Sequence, residues 1–191
     1  MYKRQLPVST RQVSNSLQLF ALDGLPLIEP GDDLASLLVE AARRVADGMR
    51  DADVLVVAQK IVSKAENRYV DLDTVTPSPA ALELAPVADK DPRLVEVILG
   101  ESRRVLRHRP GALIVEHRLG YVHANAGVDR SNIASTSKVL LLPEDPDRSA
   151  AQLREGVRLA TGRRVHVIIN INRAFKCHAG LRITGLDSPG E

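Results

Sequence analysis

A chain of 191 residues is long enough to bury a core without covalent staples, as one large domain or two small ones. Hydrophobic residues make up 44% and charged residues 26%, with 26 basic against 24 acidic side chains, which excludes an intrinsically disordered chain. Aromatic content of 3%, the absence of tryptophan and a net charge of only +2 leave little for stacking bases or attracting polyanions, so nucleic acid is not expected as a partner.

Residues 1–16 have no hydrophobic middle and read as a flexible leader rather than a signal peptide. LQLFAL (17–22) reads as a strand, followed by the turn-rich DGLPLIEPGDD. Asp32 or Asp33 opens a helix to about Ala46, with Leu34, Leu37, Leu38, Ala41, Ala42 and Val45 at helical spacing. DVLVVAQ (53–59) has the β-branched density of a buried strand, and the IVSKAENR that follows is strand end, loop or first helical turn. Ser78 before Pro79 and Asp91 before Pro92 each start a helix, the second predicted to run through LVEVILGESRRVLRHR. On that reading Leu94, Ile98 and Val105 share its apolar side, and the arginines of RRVLRHR end it as a solvated face favourable to the macrodipole.

ALIVEH (112–117) and YVHA (121–124) read as a hairpin about RLG, and VLLL (139–142) as a further strand. Asp145 caps a helix with Pro146 at its first position and Gly162 at its end, before RVHVIIN (164–170), the last strand read with assurance. Strands and helices alternate imperfectly, so the expected fold is α+β: mixed sheets with an antiparallel hairpin and flanking helices. Cys177 is the only cysteine, which excludes an intramolecular disulfide and a thiolate zinc site, and no apolar run reaches membrane-span length. A cytoplasmic location without a membrane partner is expected.

No GxxxxGK[ST] loop is present, and no GxGxxG follows a strand. Three polar clusters nevertheless sit beside apolar strands, where a rigid scaffold can aim them: DGLPLIEPGDD, QKIVSKAENR and NAGVDRSN. Lys60 and Lys64, four apart with Ser63 beside them, present two ammonium groups to a phosphate or are plain solvated charges. Asp129 is either a hard oxygen ligand for magnesium or manganese, with Gly127 allowing backbone amides near an anion, or part of an ordinary turn with Asn125, Gly127 and Asn132. His117 and His123, on strands read as paired, stand near no serine or cysteine at nucleophile-elbow spacing and are read as structural.

Four blocks in order, GLPLIEPGDDLA, DVLVVAQKIVSKAENR, LIVEHRLGYVHANAGVDRSNI and LLPEDPDRSAAQLR, closely resemble the coenzyme F420-0 gamma-glutamyl ligase family from about Leu17 to Ile169. VSKAE and NAGVDRSN are the most specific parts. The resemblance implies a GTP-dependent ligase that adds L-glutamate to the carboxylate of a deazaflavin coenzyme through an acyl phosphate. Magnesium or manganese, and a monovalent cation, are the implied ions, and the implied assembly is a homodimer. It further implies that Leu25, Pro26, Leu27 and Ile28 line the guanine nucleotide with Gln59 and Lys60, that Lys64 contacts phosphate, that Asn132 contacts the nucleotide, and that Asp129 binds metal.

After VHVII the family continues with Ser-Asp-Thr, where this chain has Asn170, Ile171 and Asn172. The charge that would balance a second divalent ion is missing there. The expected organisation is a leader (1–16), a ligase-like nucleotide- and metal-binding domain (17–170) and a divergent tail (171–191), the fold lacking the family's C-terminal part. A catalytically impaired homologue that keeps dimerisation or partial nucleotide binding is the alternative.

Overall fold

The computed structural model describes residues 17–130, 137–171 and 180–184. The 1–16 leader, Asn132 and Cys177 lie outside them. β1 (Gln18–Ala21) leads through the proline- and glycine-containing loop into α1 (Leu34–Ala46). Asp33 caps that helix, its carboxylate accepting from the Ser36 amide at 3.2 Å and the Ser36 hydroxyl at 2.6 Å. β2 (Val54–Ala58) runs directly into α2 (Gln59–Ala65), which settles IVSKAENR as mainly helical. β3 (Tyr69–Asp71) follows, then α3 (Pro79–Ala88) and α4 (Pro92–Gly100), capped by Ser78 and Asp91 as their Ser-Pro and Asp-Pro pairs predict.

The predicted extension of the α4 helix through RRVLRHR is wrong. The helix ends at Gly100, and β4 (Ser102–Arg109) pairs antiparallel with β5 (Ala112–His117), bulging between Ser102 and Arg104 and between Val105 and Arg107. Val105 lies opposite the fully buried Val115, so it packs on the core from a strand rather than a helix face. The arginines stay exposed in either state, which is why their composition could not choose between them. The hairpin expectation holds: β5 pairs antiparallel with β6 (Val122–Ala124). β7 (Lys138–Leu140), α5 (Pro146–Thr161) and β8 (His166–Asn170) complete the predicted order, with Asp145 and Gly162 capping α5. β9 (Gly180–Thr184), a strand the sequence patterning did not reveal, lies inside the largest sheet.

The α+β expectation holds. A four-stranded sheet has the order β1-β9-β2-β8, with β2 and β8 parallel and β9 antiparallel to both its neighbours; β3 pairs with β7, and β4, β5 and β6 form a third sheet. Two cores result. Leu38, Leu55, Val57 and Val157 centre the first, between the large sheet and α1 and α5. Ile98, Leu113, Val115 and Val139 centre the second, between the hairpin sheet and α3 and α4. Burial of side chains of this size stabilises by roughly 1.5–3 kcal/mol each relative to exposure. Among the described residues no helix is long and apolar enough to cross a membrane.

Candidate functional site

The parallel strands β2 and β8 end side by side, Ala58 opposite Asn170, and α2 begins at the next residue of the chain. The crevice outside the carboxyl ends of parallel strands is where α/β sheets usually receive ligands. Buried Val62 faces the first core from α2, while Lys60 and Lys64, one turn apart, share a half-buried side of it. Gln59 is buried, and its amide donates to the Ser63 hydroxyl at 2.5 Å and to the Leu141 carbonyl at 3.4 Å.

Residues 125–130, the described part of NAGVDRSN, come to the same place from the second core. Asn125, Ala126 and Gly127 adopt left-handed φ values of 54°, 51° and 71° in succession, a conformation that is unfavourable for residues bearing a Cβ. The Asn125 side chain accepts the Leu113 amide at 3.0 Å and so anchors the turn to β5. Gly127 fits here for a second reason: a Cβ on it would stand 2.7 Å from Leu142 Cδ1. Two residues on, Asp129 exchanges both backbone hydrogen bonds with Leu140, at 2.9 and 2.8 Å. Its carboxylate meets the Lys60 ammonium at 2.5 Å. The two motifs are thus joined across the seam between the cores: Asn125 to Gly127 make the turn, and Asp129 projects from it to Lys60.

Lys64 differs from Lys60. Its ammonium has no hydrogen-bond or ion-pair partner among the described residues, although the side chain is half-buried. DGLPLIEPGDD reaches the same helix, since the Gly31 amide donates to the Ala65 carbonyl at 2.9 Å. Its four candidate residues divide: Ile28 is buried and Leu25 packs partly against the first core, whereas Pro26 is exposed and Leu27 is 83% exposed. Burial, and then the negative charge of Glu29, raise the Tyr69 hydroxyl above its ordinary value, which places the Glu29 end of this loop beside β3. Asn132 falls outside the described residues. Among the described residues no three of His, Cys, Asp or Glu come together as a metal-holding group.

One polar cluster behind the site had no sequence signal. The Glu101 carboxylate lies 3.3 Å from Arg68, 3.0 Å from Arg118 and 3.5 Å from His117. Burial pushes this carboxyl up, but the nearby His117 ring, the hydrogen bond from Arg118 and the charges of Arg118 and Arg68 outweigh it and bring it to about 2. His117, buried and stacked on Tyr121 with ring centroids 5.0 Å apart, lies on β5 and His123 on β6, the neighbouring strand, as expected. Its Nδ1 accepts the Leu119 amide at 3.0 Å, so the ring proton sits on Nε2, towards Glu101.

The α+β fold thus places two lysines at the mouth of parallel strands with a loop aspartate paired to one of them, and the sequence carries no P-loop. The particular family follows from comparison with known proteins. Residues 24–183 match the family described as "F420-0:Gamma-glutamyl ligase", a span that reaches into β9. Similar curated proteins are named "Coenzyme F420:L-glutamate ligase". The one from Methanothermobacter thermautotrophicus is 42% identical over 154 residues, covering 81% of this chain and 61% of that protein. The one from Methanopyrus kandleri is 47% identical over 156 residues, covering 80% and 60%. The chain belongs to the F420-0 gamma-glutamyl ligase family. It spans about three fifths of the length of these relatives.

Proposed function

We propose that the chain acts as a GTP-dependent ligase, adding L-glutamate to the carboxylate of coenzyme F420-0 through an acyl phosphate. The observation that carries this reading is half-buried Lys64, whose ammonium has no partner among the described residues, one turn beyond the Lys60–Asp129 pair. An ammonium in such a place gains most when an anionic oxygen arrives. In the first step an oxygen of the coenzyme carboxylate attacks the γ-phosphorus of GTP, that P–O bond forms, and the bond to the β-phosphate oxygen breaks to release GDP. In the second, the glutamate amine attacks the acyl carbon, a C–N bond forms, phosphate leaves and the amine loses a proton. Lys64 would neutralise charge on the transferred phosphoryl group, and Lys60 would hold Asp129 in register with it. Gln59 and the outward Pro26 and Leu27 would contact the nucleotide, with Leu25 and Ile28 anchoring their loop and Asn132 a further contact.

The donor set fits a divalent ion shared with substrate phosphates rather than a cage built by protein alone. Asp129 offers one hard carboxylate, and magnesium commonly binds through one or two carboxylates plus phosphate oxygens. When bound, such an ion supplies charge neutralisation for phosphoryl transfer. A monovalent cation and a homodimer belong to the same proposal, and sedimentation velocity reads the dimer directly. Calorimetric titration of GTP with and without magnesium or manganese tests the site. Asp129→Ala is expected to abolish the metal-dependent part of binding without unfolding the chain, and Lys64→Ala to weaken GTP by roughly 1.5–3 kcal/mol. Unchanged GTP affinity in both variants would contradict the assignment.

A second reading has one observation in its favour. Asn170 lies at the mouth of the site beside Ala58, and the next residue, Ile171, stands where the family pattern has the aspartate of its Ser-Asp-Thr run. A homologue that binds nucleotide but does not ligate would show saturable GTP binding and no product.

A further inference from the structure

Residues 139–142 form a spine between the two halves of the site. Leu140 holds Asp129 by two backbone hydrogen bonds, the Leu141 carbonyl accepts from the Gln59 side chain, and Leu142 packs against Gly127. Where Asp129 stands relative to Gln59 and Lys60 therefore depends on where this spine runs. Arg68 holds it. The Arg68 carbonyl accepts the Leu141 amide at 2.9 Å, its Nε donates to the Leu142 carbonyl at 2.9 Å, and its own amide donates to Ser63 in α2 at 2.9 Å.

With Nε committed to a carbonyl, the guanidinium is fixed by what its outer nitrogens find, and Nη2 lies 3.3 and 3.4 Å from the two Glu101 oxygens. Glu101 is itself immobilised. Its amide donates to Val97 at 3.2 Å, its carbonyl accepts the Arg118 amide at 2.9 Å, and its carboxylate accepts Arg118 Nε at 3.0 Å, with the side chain only 14% exposed. Only a planar fork can bridge a carbonyl and a carboxylate in this way, and lysine cannot replace it.

We propose that Glu101, acting through Arg68, is a positioning residue for the Lys60–Asp129 site. The carboxylate fixes the guanidinium, the guanidinium fixes residues 141–142, and the spine sets Asp129 against the lysines of α2. Its consequence for catalysis rests on the function proposed above, whereas its consequence for local order does not.

Amide hydrogen exchange along the whole chain, in the wild type, Glu101→Gln and Arg68→Lys, tests the local arm. Both variants are expected to speed exchange at Asp129 and Leu140 at least tenfold relative to the β4–β5 ladder, which belongs to the same core. An even change over the chain, or none at Asp129 and Leu140, overturns the proposal. Should either variant fail to fold, Arg118→Gln removes one ligand of Glu101 from a more exposed position and is expected to give a smaller change in the same two amides. Steady-state ligation supplies the functional arm: kcat is expected to fall at least tenfold in Glu101→Gln with the glutamate KM altered less than twofold. Variants that ligate like an active wild type would overturn the positioning role. An inactive wild type with the local exchange effect intact would instead count against the proposed function and support the structural coupling.

Discussion

Asp129 owes its position to the residues just before it. The left-handed run Asn125, Ala126, Gly127 turns the chain sharply out of the hairpin sheet, and the glycine is the one member whose added Cβ would collide with Leu142. Gly127→Ala is therefore expected to lower stability by roughly 1–3 kcal/mol. Because Leu142 belongs to the spine that holds Asp129, the variant should also weaken metal-dependent GTP binding; chemical denaturation and calorimetry on one preparation would show both. At this scale the sequence was informative about residue types and silent about partners. Asn, Gly and Asp announced a turn or a ligand loop; in the structure Asn125 to Gly127 make the turn and Asp129 pairs with Lys60. The Lys60–Asp129 contact joins positions distant in the chain, and no local pattern encodes it. Arg68 and Glu101 were invisible for the same reason: each is an ordinary charged residue until folding places it in a half-buried pair.

Capped helix starts were the most legible features, because N-caps are local chemistry. Asp33, Ser78, Asp91 and Asp145 each accept a backbone amide of the first helical turn, as their positions predict. β4 was misread because a solvated arginine run suits an exposed strand as well as a helix end, and its two bulges break the alternation that would mark a strand. β9 escaped because its membership in the sheet depends on β1 and β2 on either side. The approach of α1 to α5 gives a prediction whose sign is decided by two opposed effects. Alanine at Gly156 would gain up to about 1 kcal/mol of helix propensity, but its Cβ would stand 2.5 Å from the Ala35 Cβ, a rigid group. Overpacking of this kind typically costs about 1–3 kcal/mol, so Gly156→Ala should destabilise. Adding Ala35→Gly should restore much of the loss, and thermal melts of the single and double variants would show whether it does.

The whole molecule is two cores meeting at a polar seam, and the candidate site lies on that seam. Glu101 links the state of the seam to pH. Its carboxyl is brought from an ordinary 4.5 to about 2 in the folded chain, so its contribution is fully present above about 4.5 and is lost as pH falls through 2. The full shift corresponds to stability on the order of 3 kcal/mol. Denaturation between pH 5 and 2 should show a falling stability whose slope is shallower in Glu101→Gln; equal slopes would contradict the buried-pair account. The large sheet also leaves Leu19 and Ile168 more than half exposed, at 57% and 51%, on a chain that spans three fifths of its relatives' length.

The activity proposed for the seam between these cores is glutamate ligation. Its most direct test is product mass after incubation of the purified chain with GTP, magnesium or manganese, L-glutamate and the unglutamylated coenzyme, beside a longer relative as positive control. A product heavier by one glutamyl residue, dependent on both GTP and Asp129, is the predicted result. Unchanged coenzyme mass beside an active control would contradict it and leave the non-ligating homologue as the better description.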